Sequence, residues 1–217
     1  MITGPMFSGK TAELIRLINR SRIGGKVVQV FKFTDDARYA DASTLASYDG
    51  NVLGAIPTLT ADDITHNLNM DADVVVIDEV QFYDDAILDL VVCLVDIKKE
   101  VVCGGLNLDF RAEPFLFRNS KRGVADILVR ADKIIKLSAI CTHKADGKPC
   151  GQSATRTQRI INEVPAHYSS PVVMIGAQDS YEARCTEHHF VPGHPSLGQT
   201  MALNEKITTL IQGKISV

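Results

Sequence analysis

At 217 residues, 45% hydrophobic and 23% charged, with no tryptophan and a formal net charge of −3, the chain has the balance of a soluble globular protein long enough to bury a sizeable core. The slightly acidic charge argues against nonspecific nucleic-acid binding, which needs a strong basic excess. No run of about eighteen apolar residues offers a membrane span and no basic-then-apolar leader opens the chain, so the expected compartment is the cytoplasm.

Residues 4–11 read Gly4-Pro5-Met6-Phe7-Ser8-Gly9-Lys10-Thr11 and fit the pattern GxxxxGK[ST]. The glycines allow a tight turn in which successive backbone N–H groups face phosphate oxygens, with the dipole of a following helix behind them. In such a loop Lys10 bridges the outer phosphates and the Thr11 hydroxyl ligates Mg²⁺. The bland alternative is a glycine-rich turn before a helix. A helix does follow: Leu14, Ile15, Leu17 and Ile18 recur at helical spacing, and Gly24-Gly25 closes it. Only Met1, Ile2 and Thr3 precede the loop, so the strand leading into it is a stub.

Val27 to Phe33 is β-branched and aromatic, the next strand of a βαβ unit. Residues 34–64 turn polar and irregular and read as one long loop of the functional kind. Val74-Val75-Val76-Ile77 are consecutive β-branched residues, which suits a central parallel strand covered on both faces. That strand ends in Asp78-Glu79. An acid at the carboxyl end of such a strand holds Mg²⁺, usually through water; the alternative for Asp78 is a cap on the next turn. Asp84 to Ile97 follows as a helix with Ile87, Leu88, Val91, Leu94 and Val95 on its apolar face. Glu100–Gly105 is a strand, 106–115 a proline-containing loop, Gly123–Arg130 a helix and Lys133–Leu137 a strand. The alternation predicts a doubly wound α/β sheet.

The odd count of five cysteines points to reduced thiols. Cys93 and Cys103 lie in apolar runs and read as small buried hydrophobes. Beyond Leu137 the rhythm of helix and strand stops. Cys141-Thr142-His143, Cys150-Gly151 and Cys185-Thr186-Glu187-His188-His189 supply the corners and the CxxH pair that suit tetrahedral zinc. Eight residues separate Cys141 from Cys150, where a knuckle normally has about two. His143 therefore stands as an alternative ligand to Cys141, and His189 to His188. A region this poor in apolar residues needs a staple. The β-run from Val172 to Ile175 is broken by Gly176-Ala177-Gln178-Asp179, so the chain is expected to loop out there. Gly198 to Gln212 reads as an amphipathic helix or tail.

Six stretches in order, GPMFSGKT at 4–11, DARY at 36–39, DEVQFY at 78–83, GLNLDFRAEPF at 105–115, ATRTQR at 154–159 and GAQDSYEARCTEHH at 176–189, resemble the cellular, zinc-containing type of thymidine kinase over nearly the whole chain. The resemblance implies an α/β fold in three parts: a parallel-sheet, phosphate-loop nucleotide-binding core at 1–138, a small zinc-binding lasso domain at 139–195 that closes on the nucleoside, and a C-terminal helix or tail at 196–217. It implies that ATP donates, thymidine accepts, Mg²⁺ assists and Zn²⁺ is structural. Glu79 then corresponds to the general base that takes the proton of the 5′-hydroxyl. Asp36 and Arg38 fall where the family contacts sugar and phosphates. Met6, Phe82, Leu106, Phe110 and Phe115 correspond to the apolar wall around base and sugar. Thr157 and the backbone of Val173, Met174, Ile175 and Gly176 correspond to groups that bond the thymine edge, and Tyr181 to the aromatic of the lasso. Cys141, Cys150, Cys185 and His188 fall at the zinc positions. A homotetramer, feedback by dTTP and use of deoxyuridine are further family expectations. The chain departs from the pattern in its expanded Cys-to-Cys spacing, its short first strand, and Asn107 and Ala112 in a motif that varies. The competing readings are a phosphate-loop ATPase whose zinc ribbon acts on nucleic acid, and a noncatalytic nucleotide sensor.

Overall fold

Helix and strand alternate through the first 136 residues, as the sequence predicts, except between 28 and 58, where strands follow one another. The structure is a computed structural model and describes residues 1–34, 44–46, 52–145, 147–173, 180–195, 203 and 205–210. The elements are β1 (Ile2–Thr3), α1 (Lys10–Ile23), β2 (Val28–Phe33), β3 (Thr44–Ala46), β4 (Val52–Gly54), β5 (Ile56–Thr58), α2 (Ala61–His66), β6 (Val74–Asp78), α3 (Ala86–Asp96), β7 (Glu100–Gly105), α4 (Val124–Arg130) and β8 (Ile135–Lys136). Among the described residues, a parallel sheet of six strands runs in the order β5-β2-β6-β7-β1-β8.

Strand β6 is buried along its whole length because its two faces feed two cores. Val75 and Ile77 join Phe31, Phe33 and Cys103 beneath Ile64 of α2, Ile87 and Leu94 of α3 and Ile127 of α4. Val74 and Val76 join Ile2, Val30, and Leu14, Ile15 and Ile18 of α1, with Leu45 and Leu53 of the β3–β4 hairpin. Each such side chain contributes about 1.5–3 kcal/mol when fully buried. A one-residue slip would exchange the two faces, so this packing sets the register.

Three expectations are corrected here. The stretch 34–64 is not one loop: it holds the β3–β4 hairpin, strand β5 and the start of α2. That helix opens with a capping box, Asp63 N–H donating to Thr60 Oγ1 at 3.1 Å and Thr60 N–H to Asp63 Oδ2 at 2.9 Å, a signal present in the sequence as Thr-x-x-Asp. Cys93 is exposed, whereas Cys103 is buried as expected. Cys93 lies about 240° round α3 from Ile87, on the side away from the sheet. Val95, expected on the apolar face, is 50% exposed at the edge of the buried stripe.

Beyond β8 the chain forms small antiparallel pieces: β9 (Ala139–Ile140), β10 (Lys144–Ala145), β11 (Lys148–Pro149), β12 (Ser153–Ala154), β13 (Arg156–Ile161), β14 (Val164–Pro165) and β15 (Ser180–Arg184). β10 pairs with β11, β9 with β12, and β13 lies between β14 and β15. One core here consists of Ala139, Ala154, Ala183, Cys141 and Cys185. Three alanines and two thiols bury little apolar surface, as the need for a staple requires. Residues 205–210 are helical. The expected loop at Gly176–Asp179, and Asp36, Arg38, Met174, Ile175 and Gly176 among the site residues, lie outside the described residues.

Candidate active site and metal centre

Strand β7 lies between β6 and β1, so the carboxyl ends of three strands bring residues 4–11, Asp78-Glu79 and Gly105-Leu106 side by side. Gly4 has φ +148°, and a Cβ there would come within 2.4 Å of the Leu137 carbonyl oxygen; only glycine fits. Phe7 (φ 63°) and Gly9 (φ 83°) are left-handed, and Gly9 caps α1. Such a backbone turns its N–H groups toward a common point. Ser8 Oγ is buried with no hydrogen-bond partner, an orphan that fits a polar ligand in the loop. Lys10 Nζ donates to Pro5 O at 2.7 Å. Burial holds the Lys10 ammonium below its ordinary pKa, while the charges of Glu79 and Asp78 pull the other way.

Asp78 is 3% exposed. Burial and the neighbouring Glu79 charge raise its carboxyl to about 7, against the Glu79 backbone N–H and the Lys32 and Lys10 charges. Room for it comes from Gly104, where a Cβ would sit 2.8 Å from Asp78 Oδ1 and 2.6 Å from Leu14 Cδ1. Glu79 has φ 56°, a conformation costing a non-glycine residue about 1–3 kcal/mol. It leads into a 3-10 turn, Val80–Phe82. Strain of that kind clusters at functional positions.

A cavity of about 750 Å³ opens beside this edge, lined by Phe33, Gln81, Phe82, Phe115, Val172 and Val173 among others. Phe82 meets Phe115 edge to face at 5.8 Å and Phe33 at 5.5 Å. The cavity thus gathers Phe82, Phe115 and Val173 of the expected set. Leu106 and Met6 pack into the adjoining core. Phe110 sits apart with Ala166 and Val191, under the guanidinium groups of Arg111 and Arg159. Thr157, 4% exposed, accepts from Met6 N–H at 3.0 Å through Oγ1, tying the glycine-rich loop to β13. Tyr181, on β15, is opposite Arg159. Sequence reasoning missed Phe33, Gln81 and Arg159. Gln81 and Arg159 stood inside quoted motifs, and Arg159 is fully buried with its Nη1 donating to Pro171 O at 2.6 Å.

The ligand atoms of Cys141, Cys150, Cys185 and His188 all lie within 4.8 Å of one another. His188 Nδ1 is 3.3 Å from Cys185 Sγ and 3.8 Å from Cys141 Sγ. A tetrahedron with zinc–sulfur bonds near 2.3 Å and zinc–nitrogen bonds near 2.0 Å has edges of about 3.5–3.8 Å, so the donor set fits that ion. The wide Cys141–Cys150 spacing is taken up by the β10–β11 hairpin: Cys150 N–H donates to His143 O at 2.7 Å, returning the chain to its start. His143 stacks on His188 at 4.2 Å outside this group. His189 Nε2 lies 2.9 Å from Phe110 O, a carbonyl that only accepts, so the ring carries its proton there. Burial opposes ionisation of the Cys141 thiol, but the backbone N–H groups of Cys185 and His143 and the His188 ring outweigh it, lowering it to about 6. That favours the thiolate a metal needs.

The parallel sheet, with its glycine-rich turn between β1 and α1 and paired carboxylates at the end of β6, defines an α/β protein of the nucleotide-binding class, here with a thiol–imidazole cluster beside it. A thymidine kinase family model matches residues 1–189. A thymidine kinase of Deinococcus deserti is 44% identical over 201 residues, covering 88% of this chain and 93% of that protein. The chain belongs to the thymidine kinase family.

Proposed function

We propose that the chain transfers the γ-phosphoryl group of ATP to the 5′-hydroxyl of thymidine. The observation that carries the reading is the meeting, at one sheet edge beside an aromatic cavity, of the loop 4–11, Asp78 and Glu79 in a member of the thymidine kinase family. Phosphoryl transfer needs in-line positioning, neutralised phosphate charge and a proton acceptor. The N–H groups of residues 4–11, the Ser8 hydroxyl and Lys10 hold the donor phosphates. Thr11 and Asp78 would hold Mg²⁺, which would neutralise charge on the phosphate oxygens. Glu79, one residue past Asp78, takes the proton of the attacking hydroxyl. Phe82 and Phe115 wall the nucleoside, Met6 and Leu106 back that wall from the adjoining core, and Phe110, in its own cluster, anchors the far part of the segment that carries Phe115. Thr157 and the backbone at 173–176 read the base, and Tyr181 belongs to the segment that closes over it. Asp36 and Arg38 reach sugar and phosphates.

Cys141, Cys150, Cys185 and His188 hold structural Zn²⁺, clipping the strands that carry the closing segment. The molecule works as a cytoplasmic homotetramer, uses deoxyuridine as well, and is restrained by dTTP. Thymidine-dependent release of ADP, with dTMP as the second product, tests the reading alongside a metal analysis. The expected result is one ADP per dTMP and one zinc per chain. ADP release that ignores thymidine and rises with DNA overturns it.

A further inference from the structure

Gln81 is 1% exposed, and both ends of its carboxamide are engaged. Oε1 accepts from Leu106 N–H at 3.0 Å, and Nε2 donates to Glu79 Oε2 at 2.6 Å. Since only the oxygen can accept from Leu106 N–H, the amide orientation is fixed and its N–H faces the carboxylate. Space for this arrangement is cut out of β7: a Cβ on Gly105 would lie 2.4 Å from Gln81 Oε1 and 2.9 Å from Val80 Cγ1. Glu79 leaves β6 in a left-handed conformation, so the backbone alone is a strained mount for its side chain. We infer that Gln81 is the positioning residue of Glu79, holding the carboxylate in place by one charge-assisted hydrogen bond, with Gly105 left side-chain-free to admit it.

The inference rests on Glu79 being the proton acceptor. Such a bond to a charged group is short and strong, and misplacing a reacting group by a fraction of an ångström slows turnover without weakening binding. Gln81→Met fills the same volume and removes both hydrogen bonds. It is expected to lower kcat about 10-fold or more, with the KM values for ATP and thymidine within about twofold of wild type. The deciding measurement repeats Gln81→Met in a Glu79→Gln background. A residue acting through Glu79 costs less than about twofold there, because its target is gone. An equal fold loss in both backgrounds overturns the positioning role and leaves the base reading standing. Near-wild-type turnover of Glu79→Gln alone overturns both. Gly105→Ala, which displaces the carboxamide without removing it, is the second variant should Gln81→Met fold poorly. Its loss is expected in kcat and to vanish in the same background; a loss that persists there counts against the inference.

Discussion

Thr157→Val tests the contact between the glycine-rich loop and β13, with Tm reading that contact and the thymidine KM reading it together with the base contact proposed for Thr157. Valine keeps the shape of threonine and removes the hydroxyl, so Met6 N–H, which donates to Thr157 Oγ1 at 3.0 Å in a partly buried place, loses its acceptor. Stranding a buried donor costs about 1–3 kcal/mol. Partial burial at Met6 lets water recover some of this, which leaves about 1–2 kcal/mol. A chain of this length loses about 2–4 °C of Tm per kcal/mol, so the melting midpoint should fall by about 2–8 °C. If the bond also holds the loop against the nucleoside side of the site, the same energy corresponds to a rise of about 5- to 30-fold in the thymidine KM. Thr157→Ser retains the hydroxyl and should stay within about twofold of wild type. Thermal denaturation and steady-state kinetics on the three proteins decide it. Serine as damaging as valine, or valine with unchanged Tm and KM, would refute the reasoning.

Glu79→Gln should lower kcat by at least about 10²-fold while a nucleotide titration finds ATP affinity within about threefold of wild type; undiminished turnover would remove Glu79 from the proton-accepting role. Cys185→Ser should reduce zinc to well below one per chain and raise the thymidine KM more than the ATP KM, as read by metal analysis and kinetics; full zinc content would exclude Cys185 as a ligand. The Asp78 carboxyl, raised by burial and the Glu79 charge to about 7 from an ordinary 3.8, lowers stability as pH climbs. Below about pH 4 it is protonated in both states and costs nothing; between about 4 and 7 the unfolded chain ionises first, and the cost is fully present above about 7. With nucleotide absent, Asp78→Asn should therefore gain more in Tm over wild type at pH 8 than at pH 5. A gain that shrinks with pH would contradict the buried, proton-holding carboxyl.

Features set by neighbours in sequence were legible: the loop 4–11, the helix after it and the double-sided strand β6 each follow from spacing over a few residues. The Cys and His residues of a metal cluster were legible as a group, but the choice between Cys141 and His143 and between His188 and His189 was not, and it takes the folded positions to gather Cys141, Cys150, Cys185 and His188. The phase of α3 was legible too, since Ile87, Leu88 and Leu94 are buried and Val91 packs against the same core, but the edge of its stripe was not. Its apolar run continues round the helix, and only the sheet decides that Leu94 is buried while Cys93 and Val95 face outward. The β10–β11 hairpin does have a local signal, Asp146-Gly147, the dipeptide of a two-residue hairpin turn, but the short polar strands on either side carry no alternation to support it, and the return of Cys150 to His143 follows only from their pairing. Phe33 ends a strand like any other and meets Phe82 only because β2 pairs with β6. The Met6–Thr157 bond joins residues 151 positions apart. In the 34–64 stretch the Thr60–Asp63 box is a local signal, but the polar composition around it masks the short strands before it.

The Cys141, Cys150, Cys185 and His188 cluster and the active edge share a chain of contacts, which makes the cluster more than a local staple. His188, a cluster member, is followed by His189, whose Nε2–H is bonded to Phe110 O. Burial lowers the pKa of the His189 ring, with the Phe110 carbonyl partly opposing it, and Nε2–H can donate to that carbonyl in either charge state. Phe110 is in turn covered by Arg159, which reaches Pro171 O, and the same loop is held by Tyr168 Oη donating to Glu113 Oε1 at 2.9 Å. Phe115, five residues on from Phe110, lines the cavity. Loosening the cluster therefore frees His189 before it disturbs the sheet, and the slack passes along residues 106–115 to the aromatic wall. By contrast, residues 4–11 are anchored by β1 and α1, on the far side of β7 from β6, and are tied to the metal side through Met6 and Thr157. This wiring predicts an order of sensitivity: a chelator that strips the cluster should raise the thymidine KM before the ATP KM, and an ATP KM that rises first would count against the contact chain.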